Sequence, residues 1–207
     1  WANAFKDGAT LDEGTYLLVT GQRMADGSVM AHNQFFTIKP GTTTRINLIM
    51  RHETEGIKVI GSFNSEDLFE KEGHNVSLLS QTGRGYYVLG ILGVGQEPTN
   101  HALHDIAKVK EKLDKWGRPM VLLFTSEEAK EKFDAQKSEF GQLPEKVIYG
   151  IDKSGEILKE IAKEMKLHNT SQLPVFIIAD TFNRVVFLSQ GYTIGLGDQI
   201  VKVSSKL

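Results

Sequence analysis

From residue 86 to the end of the chain, segments typical of strands alternate with segments typical of helices, and this alternation constrains the fold more than any other feature. Continuous apolar runs at 86–92 and 120–124 predict strands that are buried on both faces of a sheet. Three further strands are predicted at 146–151, 175–179 and 184–189, and the short turn 180–183 joins the last two as a hairpin. The pattern indicates an α/β fold with a central sheet flanked by helices.

Four helices are expected between and after these strands. In segment 99–116 apolar residues recur every three or four positions and form one stripe: Leu103, Ile106, Val109, Leu113 and Trp116. A capping-box pattern of Thr125 with Glu128 predicts a second helix that extends to about Phe140. Residues 155–167 predict a third helix, and a short last helix is expected from about Asp198.

The first 51 residues have a different pattern, which predicts strands only. Strands are expected at 15–20, around 29–30, at 35–38 and at 43–50, with turns at 25–28 and at Pro40–Gly41. These strands are too few for a self-sufficient sandwich of about seven strands. The segment is therefore interpreted as the end of a sandwich begun upstream, and the alternative is a small sheet that leans on the next domain.

Residues 52–85 are interpreted as a connection between the β-rich segment and the domain at 86–207. A strand at 57–63, a helical turn at 65–71 and a short strand at 76–79 are expected there, and a glycine-rich break follows at 81–85. The chain starts at Trp1 without a methionine or a signal peptide, so we interpret it as the C-terminal piece of a longer protein.

Composition narrows the function classes. The net charge is −2 and the basic residues are dispersed, which argues against a nucleic-acid partner. No run of about 18 apolar residues is present, so no transmembrane segment is expected. The 207 residues include no cysteine, and thiol–disulfide exchange requires a thiolate. This chemistry is therefore excluded for the chain.

Two motifs resemble the thioredoxin-like fold, especially the larger disulfide reductases of TlpA and ResA type. The first is Gln96-Glu97-Pro98-Thr99, which follows a strand and a glycine-containing turn and precedes a helix. The resemblance implies that the two cysteines of the family would stand at this tetrapeptide, where the proline is present and both sulfurs are missing. A helix N-terminus there would lower the pKa of a thiolate.

The second motif is Leu173-Pro174, which precedes the predicted strand at 175–179. In the thioredoxin-like family this proline follows a cis peptide bond and faces the active-site turn, and an extended substrate segment lies beside it. The resemblance covers about residues 57–207. It implies a redox-inactive domain whose recognition groove for a protein or peptide partner consists of Gln96, Glu97, Pro98, Thr99, Leu173 and Pro174.

The N-terminal segment is similar to the tail of secreted transglutaminase-like proteins of the Bacteroidetes, through runs such as 11–23 and 25–31. That similarity implies that the catalytic residues lie upstream of Trp1 and that the chain is extracytoplasmic. It also implies that the partner could be an upstream domain of the same polypeptide.

The sequence gives only weak support for a metal site or for catalysis without cysteine. His101 and His104 lie one helical turn apart, with Asp105 beside them, but a zinc site needs three or four ligands. We interpret these residues as the surface of a first helical turn, and Thr99 as an N-cap. We expect no catalytic residue, metal or cofactor. The alternative is a cysteine-free enzyme that uses Glu97, His101 or His104, with or without a metal. A third hypothesis is that the chain is a scaffold that holds an upstream catalytic domain.

Overall fold

The structure, a computed structural model, describes residues 9–25, 29–46, 57–63 and 68–207, and for residues 22 and 29–33 it describes the backbone only. Within these ranges, no helix is long and apolar enough to cross a lipid bilayer. The chain divides into two compact units. The first contains a β-hairpin, and the second contains an eight-stranded sheet with the helices around it.

The described strands are β1 Gly14–Arg23, β2 Val29–Ile38, β3 Gly61–Ser62, β4 Leu68–Lys71, β5 His74–Ser77, β6 Tyr87–Leu92, β7 Met120–Phe124, β8 Val147–Ile151, β9 Val175–Ala179 and β10 Arg184–Gln190. The described α-helices are α1 Leu78–Thr82, α2 Glu97–Lys108, α3 Lys110–Trp116, α4 Glu127–Gln136, α5 Glu156–Glu164 and α6 Leu196–Ser204. A 3₁₀ turn at Lys137–Phe140 extends α4.

The large sheet has the strand order β3-β10-β9-β6-β7-β8-β4-β5. Its centre is parallel from β6 through β7 to β8, and β9 runs antiparallel to β6. Strands β6, β7 and β9 are buried along their whole length, as expected for a sheet with helices on both faces. The mixed α/β sheet predicted from residue 86 onward is confirmed.

Two hydrophobic cores lie on opposite faces of this sheet, because alternate residues of each strand point to opposite sides. One face packs against α2, α3, α4 and α6 through residues such as Leu103 and Phe133. The other packs against α5 through Ile157 and Ile161. The sheet is therefore the middle layer of three.

The N-terminal unit consists, in its described part, of one antiparallel hairpin. β1 and β2 pair in continuous register from Gly14 opposite Ile38 to Arg23 opposite Val29. One face is half-buried and contains Tyr16 stacked on Phe36 at 5.5 Å. The separate segments expected at 29–30 and 35–38 form a single strand, because that pairing is unbroken. Residues 43–46 form no strand, whereas residues 47–50 and the turn residues 26–28 lie outside the described residues.

Several expectations for the connection were wrong. Residues 68–71, expected in a helical turn, form β4, because each pairs with a residue of β5. The strand expected at 76–79 ends at Ser77, whose hydroxyl accepts the N–H of Ser80 and so caps α1. Of the segment 57–63 only Gly61 and Ser62 pair as a strand. Residues 64–67 lie outside the described residues.

Two helix expectations needed correction. Ser126, not Thr125, is the N-cap of α4, since its hydroxyl accepts the N–H of Ala129 at 3.1 Å. The helix expected at 99–116 is interrupted at Val109, whose N–H bonds to the carbonyl of Ile106. The carbonyl of Asp105, its regular partner, lies instead against Gly197 of α6. Tertiary packing therefore explains the interruption.

Candidate functional site

The segment that joins β6 to α2 forms a tight turn that carries the first motif. The N–H of Gln96 bonds to the carbonyl of Gly93 at 3.1 Å, and α2 begins at Glu97. Gln96 is the N-cap residue, but its side chain makes no capping hydrogen bond to the described helix. Pro98 occupies the first turn of the helix, where a missing N–H costs no intrahelical bond.

Thr99 lies inside α2 and is not its N-cap, so the capping interpretation was wrong. Its side chain is buried, and its Oγ1 accepts the N–H of Gly93 at 3.0 Å. This hydrogen bond thus joins the start of the β6–α2 turn to the first turn of the helix. A buried backbone N–H needs such a partner, so Thr99 has a structural role here.

The second motif lies beside this turn. β9 pairs with β6 so that Val175 is opposite Ile91, which brings Leu173 and Pro174 to the end of β6. The Leu173–Pro174 peptide bond is cis, and the carbonyl of Pro174 accepts the N–H of Gly191 at 2.8 Å.

Gly93 is the point where the two motifs meet. A Cβ placed on Gly93 would stand 2.9 Å from both the Oε1 atom of Gln96 and the Cβ of Leu173. Only a residue without a side chain leaves room for both neighbours. Gln96 of the tetrapeptide and Leu173 of the second motif therefore both lie against Gly93.

The six candidate residues differ in exposure. Gln96 and Glu97 are exposed and Pro98 is half-buried, whereas Thr99, Leu173 and Pro174 are buried. Gln96 and Glu97 thus present an amide and a carboxylate at the surface, whereas Leu173 and Pro174 are covered. No thiol is present anywhere in the sequence.

A lysine from another helix completes the rim. The ammonium end of Lys132, on α4, lies over Gly95, where an added Cβ would collide with it. The sequence offered no signal for this neighbour, because it depends on how α4 packs beside the turn. The rim thus contains the amide of Gln96, the carboxylate of Glu97 and one ammonium group.

The two histidines of α2 lie in different environments. The His101 ring stacks on Tyr192 at 4.6 Å, and its Nε2 lies 3.5 Å from Asp105. The His104 ring meets Phe140 edge-on at 5.6 Å. Among the described residues, no three histidine or acidic side chains come close enough together to hold a metal ion.

The buried carboxylates of the domain are occupied by structural hydrogen bonds. Asp152 accepts the N–H groups of Ile157 and Leu158 and so caps α5, and burial raises its pKa above the ordinary value. Asp180 accepts the backbone N–H and the Nε of Arg184, at 3.0 and 2.5 Å, in the β9–β10 turn. These acids hold turns and helix ends together.

Solved structures that resemble the chain share this fold. BsSco, a member of the Sco family of cytochrome c oxidase assembly proteins, is 16% identical with a TM-score of 0.53, and the match covers 72% of this chain and 95% of that one. Peroxiredoxin 5 from Alvinella pompejana is 14% identical with a TM-score of 0.54, over 73% of this chain and 99% of that one. Reduced Prx3 from Vibrio vulnificus is 15% identical with a TM-score of 0.51, over 70% and 97%.

No protein-family model matches the chain, and no curated protein matches it either. The similarity to solved structures establishes a thioredoxin-like fold, as expected from the sequence. Because the chain has no cysteine, it lacks the group on which thiol–disulfide exchange depends.

Proposed function

We propose that this chain is a redox-inactive thioredoxin-like domain that serves as an interaction or structural module. The observation that carries the proposal is that the two motifs remain joined through Gly93 although the sequence has no cysteine. The residues of the turn make structural hydrogen bonds and leave a polar rim, an arrangement suited to binding.

The proposed partner is an extended protein or peptide segment at the rim formed by Gln96, Glu97 and Lys132, beside Leu173 and Pro174. Gln96 offers both a donor and an acceptor, and Glu97 and Lys132 offer opposite charges. Such a rim favours a polar partner over an apolar one. A partner in the same polypeptide would make the chain a scaffold for an upstream domain.

We also propose, from the resemblance of the N-terminal segment alone, that the chain belongs to the C-terminal part of a larger extracytoplasmic protein with a transglutaminase-like region. Immunoblotting of cell fractions for the natural protein, with mass determination of the detected band, tests both parts. A cytosolic band of about 23.0 kDa would contradict them.

The direct test of the binding role is an amide-resolved NMR titration with a library of unstructured synthetic decapeptides. We expect shifts at Gln96, Glu97 and the exposed residues Ser171 and Gln172, and weaker binding after Glu97→Lys. Glu111→Lys, which makes the same charge change on exposed α3, is the matched control. Shifts confined to other surfaces would contradict the proposed rim.

The alternative of a cysteine-free enzyme gains no specific support from the geometry. His101 and His104 contact different aromatic rings, and His101 pairs with an acid that also holds α6. A general base is useful when it can reach a proton of a bound substrate. The binding role therefore accounts better for the arrangement.

A further inference from the structure

Strand β8 is covered unevenly, in contrast to its neighbour β7. Every residue of β7 is buried, whereas in β8 only Gly150 and Ile151 are buried. Val147, Ile148 and Tyr149 are half-buried. The first three residues of β8 therefore lie beside a gap.

The backbone hydrogen bonds to β7 show which groups of β8 face this gap. The N–H of Met120 bonds to the carbonyl of Lys146 at 3.0 Å, and the N–H of Asp152 bonds to the carbonyl of Phe124 at 2.9 Å. In a parallel pair alternate residues direct both backbone groups to the same side. Even-numbered residues of β8 therefore bond to β7, and Val147, Tyr149 and Ile151 direct their N–H and C=O groups away from it.

On that side β4 covers only one of the three. Within the described residues, β4 pairs with β8 solely through Glu70 and Ile151. The chain then leaves β8 at the turn Glu72–Gly73, where both residues have positive φ. A cavity of about 530 Å³ remains between β4, β8 and α4. Backbone groups of Val147 and Tyr149 open into this space, and no strand among the described residues pairs with them there.

The charges around the cavity are not balanced. Two lysines line it: Lys130 pairs with Asp134 at 2.9 Å, whereas Lys71 donates to the neutral amide oxygen of Gln81 and keeps its positive charge. Glu72 and Glu127 also line it, and neither forms an ion pair with any described residue. Glu70 pairs with Lys153 at 3.6 Å, so the charges of the lining without an ion-pair partner among the described residues are two negative and one positive, which leaves a net excess of one negative charge.

We propose that this cavity is a second binding site, distinct from the rim formed by Gln96, Glu97 and Lys132. It takes an extended peptide segment with basic side chains. The segment adds a strand beside β8 and hydrogen-bonds to the backbone of Val147 and Tyr149. Its basic side chains lie near Glu72 and Glu127. An unpaired strand edge selects an extended backbone, and the acidic residues select its charge.

The first test uses the synthetic peptide acetyl-Lys-Val-Lys-Val-Lys-Val-amide and its glutamate counterpart, with binding measured by titration calorimetry and amide NMR. We expect the basic peptide to shift the amides of Val147 and Tyr149. The acidic peptide should bind at least about fivefold more weakly, from the loss of favourable charge pairs. Absence of binding at millimolar basic peptide would overturn the proposal.

Backbone pairing is tested with two N-methylated forms of the basic peptide, each methylated at alternate nitrogens. A methyl group removes the donor and keeps the side chains. At least one form should bind about two- to tenfold more weakly per lost hydrogen bond. Equal binding by all three peptides would show that the cavity takes side chains only and would overturn strand addition.

The charge assignment is tested in the protein with Glu72→Lys and Glu127→Lys. Each should weaken binding of the basic peptide about two- to fivefold, the range for exposed charge pairs. Glu131→Lys makes the same change on α4 outside the cavity and should leave binding unchanged. An equal loss in Glu131→Lys would show that net charge alone drives binding. Circular dichroism confirms that each variant is folded.

Discussion

The carboxylate of Asp105 on α2 accepts a hydrogen bond from the backbone N–H of Leu196, the first residue of α6, at 3.2 Å. Asp105 is buried and also lies 3.5 Å from His101 and 3.3 Å from Lys108. Gly195, the N-cap of α6, has no side chain to cap the helix, so Asp105, 91 positions before Leu196 in the sequence, supplies the acceptor. α2 and α6 are thus joined by a cap between helices.

Asp105→Ala should lower the free energy of unfolding by about 1–2 kcal/mol, because the α6 N-terminus loses its capping acceptor. Asp105→Asn keeps an acceptor oxygen and should lose less. Urea unfolding measures both. Asp198→Asn, at an exposed position on the first turn of α6, is the control for loss of a negative charge there. An equal loss in Asp105→Asn and Asp105→Ala would mean that charge, not capping, matters.

Gly197→Ala should destabilise the protein by about 1–3 kcal/mol, the usual range for overpacking. An added Cβ would collide with the backbone carbonyl of Asp105, which cannot move without distorting α2. In an open helix position the same change would stabilise by up to about 1 kcal/mol, so even the sign is informative. Lys202→Ala, on an exposed part of α6, is the control in a thermal unfolding experiment. A raised Tm for Gly197→Ala would contradict the close packing.

The break at Val109 shows why the sequence predicted the existence of helices better than their interruptions. Leu103, Ile106 and Leu113 share one face and are buried, as their spacing indicated. The interruption depends on Gly197 of α6 lying against the carbonyl of Asp105. Nothing within 99–116 encodes that contact, so local periodicity could not reveal it.

The candidate site was accessible to sequence reasoning only in part. The resemblance of the two motifs to the thioredoxin-like family implied that Gln96 and Leu173 lie near each other. The structural role of Thr99 and the approach of Lys132 were missed, since both depend on side-chain packing across the turn. The short strand β4 was missed because only its pairing with β5 and β8 makes it a strand.

Thr99→Val should destabilise the protein by about 1–3 kcal/mol, because the buried N–H of Gly93 loses its acceptor while the side-chain volume is kept. Thr99→Ser keeps the hydroxyl and should retain that hydrogen bond. Chemical denaturation compares the two variants, and hydrogen exchange at Gly93 reports on the bond itself. Equal protection of Gly93 in both variants would contradict the assigned role.

A restored dithiol tests the geometry of the turn. In the double variant Gln96→Cys with Thr99→Cys, mild oxidation should form a disulfide, since the two positions are one helical turn apart at the start of α2. Thiol titration and mass spectrometry measure the bond. The double variant Gln136→Cys with Glu139→Cys, with the same spacing away from the site, is the control. Failure of the 96–99 pair to oxidise would contradict the correspondence with the family's two cysteines.

The pH dependence of stability should carry a contribution from Asp152. Burial disfavours its charged form and raises its pKa in the folded protein, so the folded state binds a proton more tightly than the unfolded chain. Its contribution to stability is therefore greatest in acid and declines as pH rises from the unfolded pKa through the raised folded pKa.

Asp152→Asn removes this titration and keeps one acceptor for the N–H groups of α5. Urea unfolding at intervals from about pH 3 to pH 7 should show the unfolding free energy of the natural protein falling relative to that of the variant as pH rises. Ser154→Ala, in the same loop, does not titrate and should give a profile parallel to that of the natural protein. If instead the unfolding free energy of the natural protein rises relative to that of Asp152→Asn as pH rises, the hydrogen bonds to Ile157 and Leu158 outweigh burial and lower the pKa of Asp152.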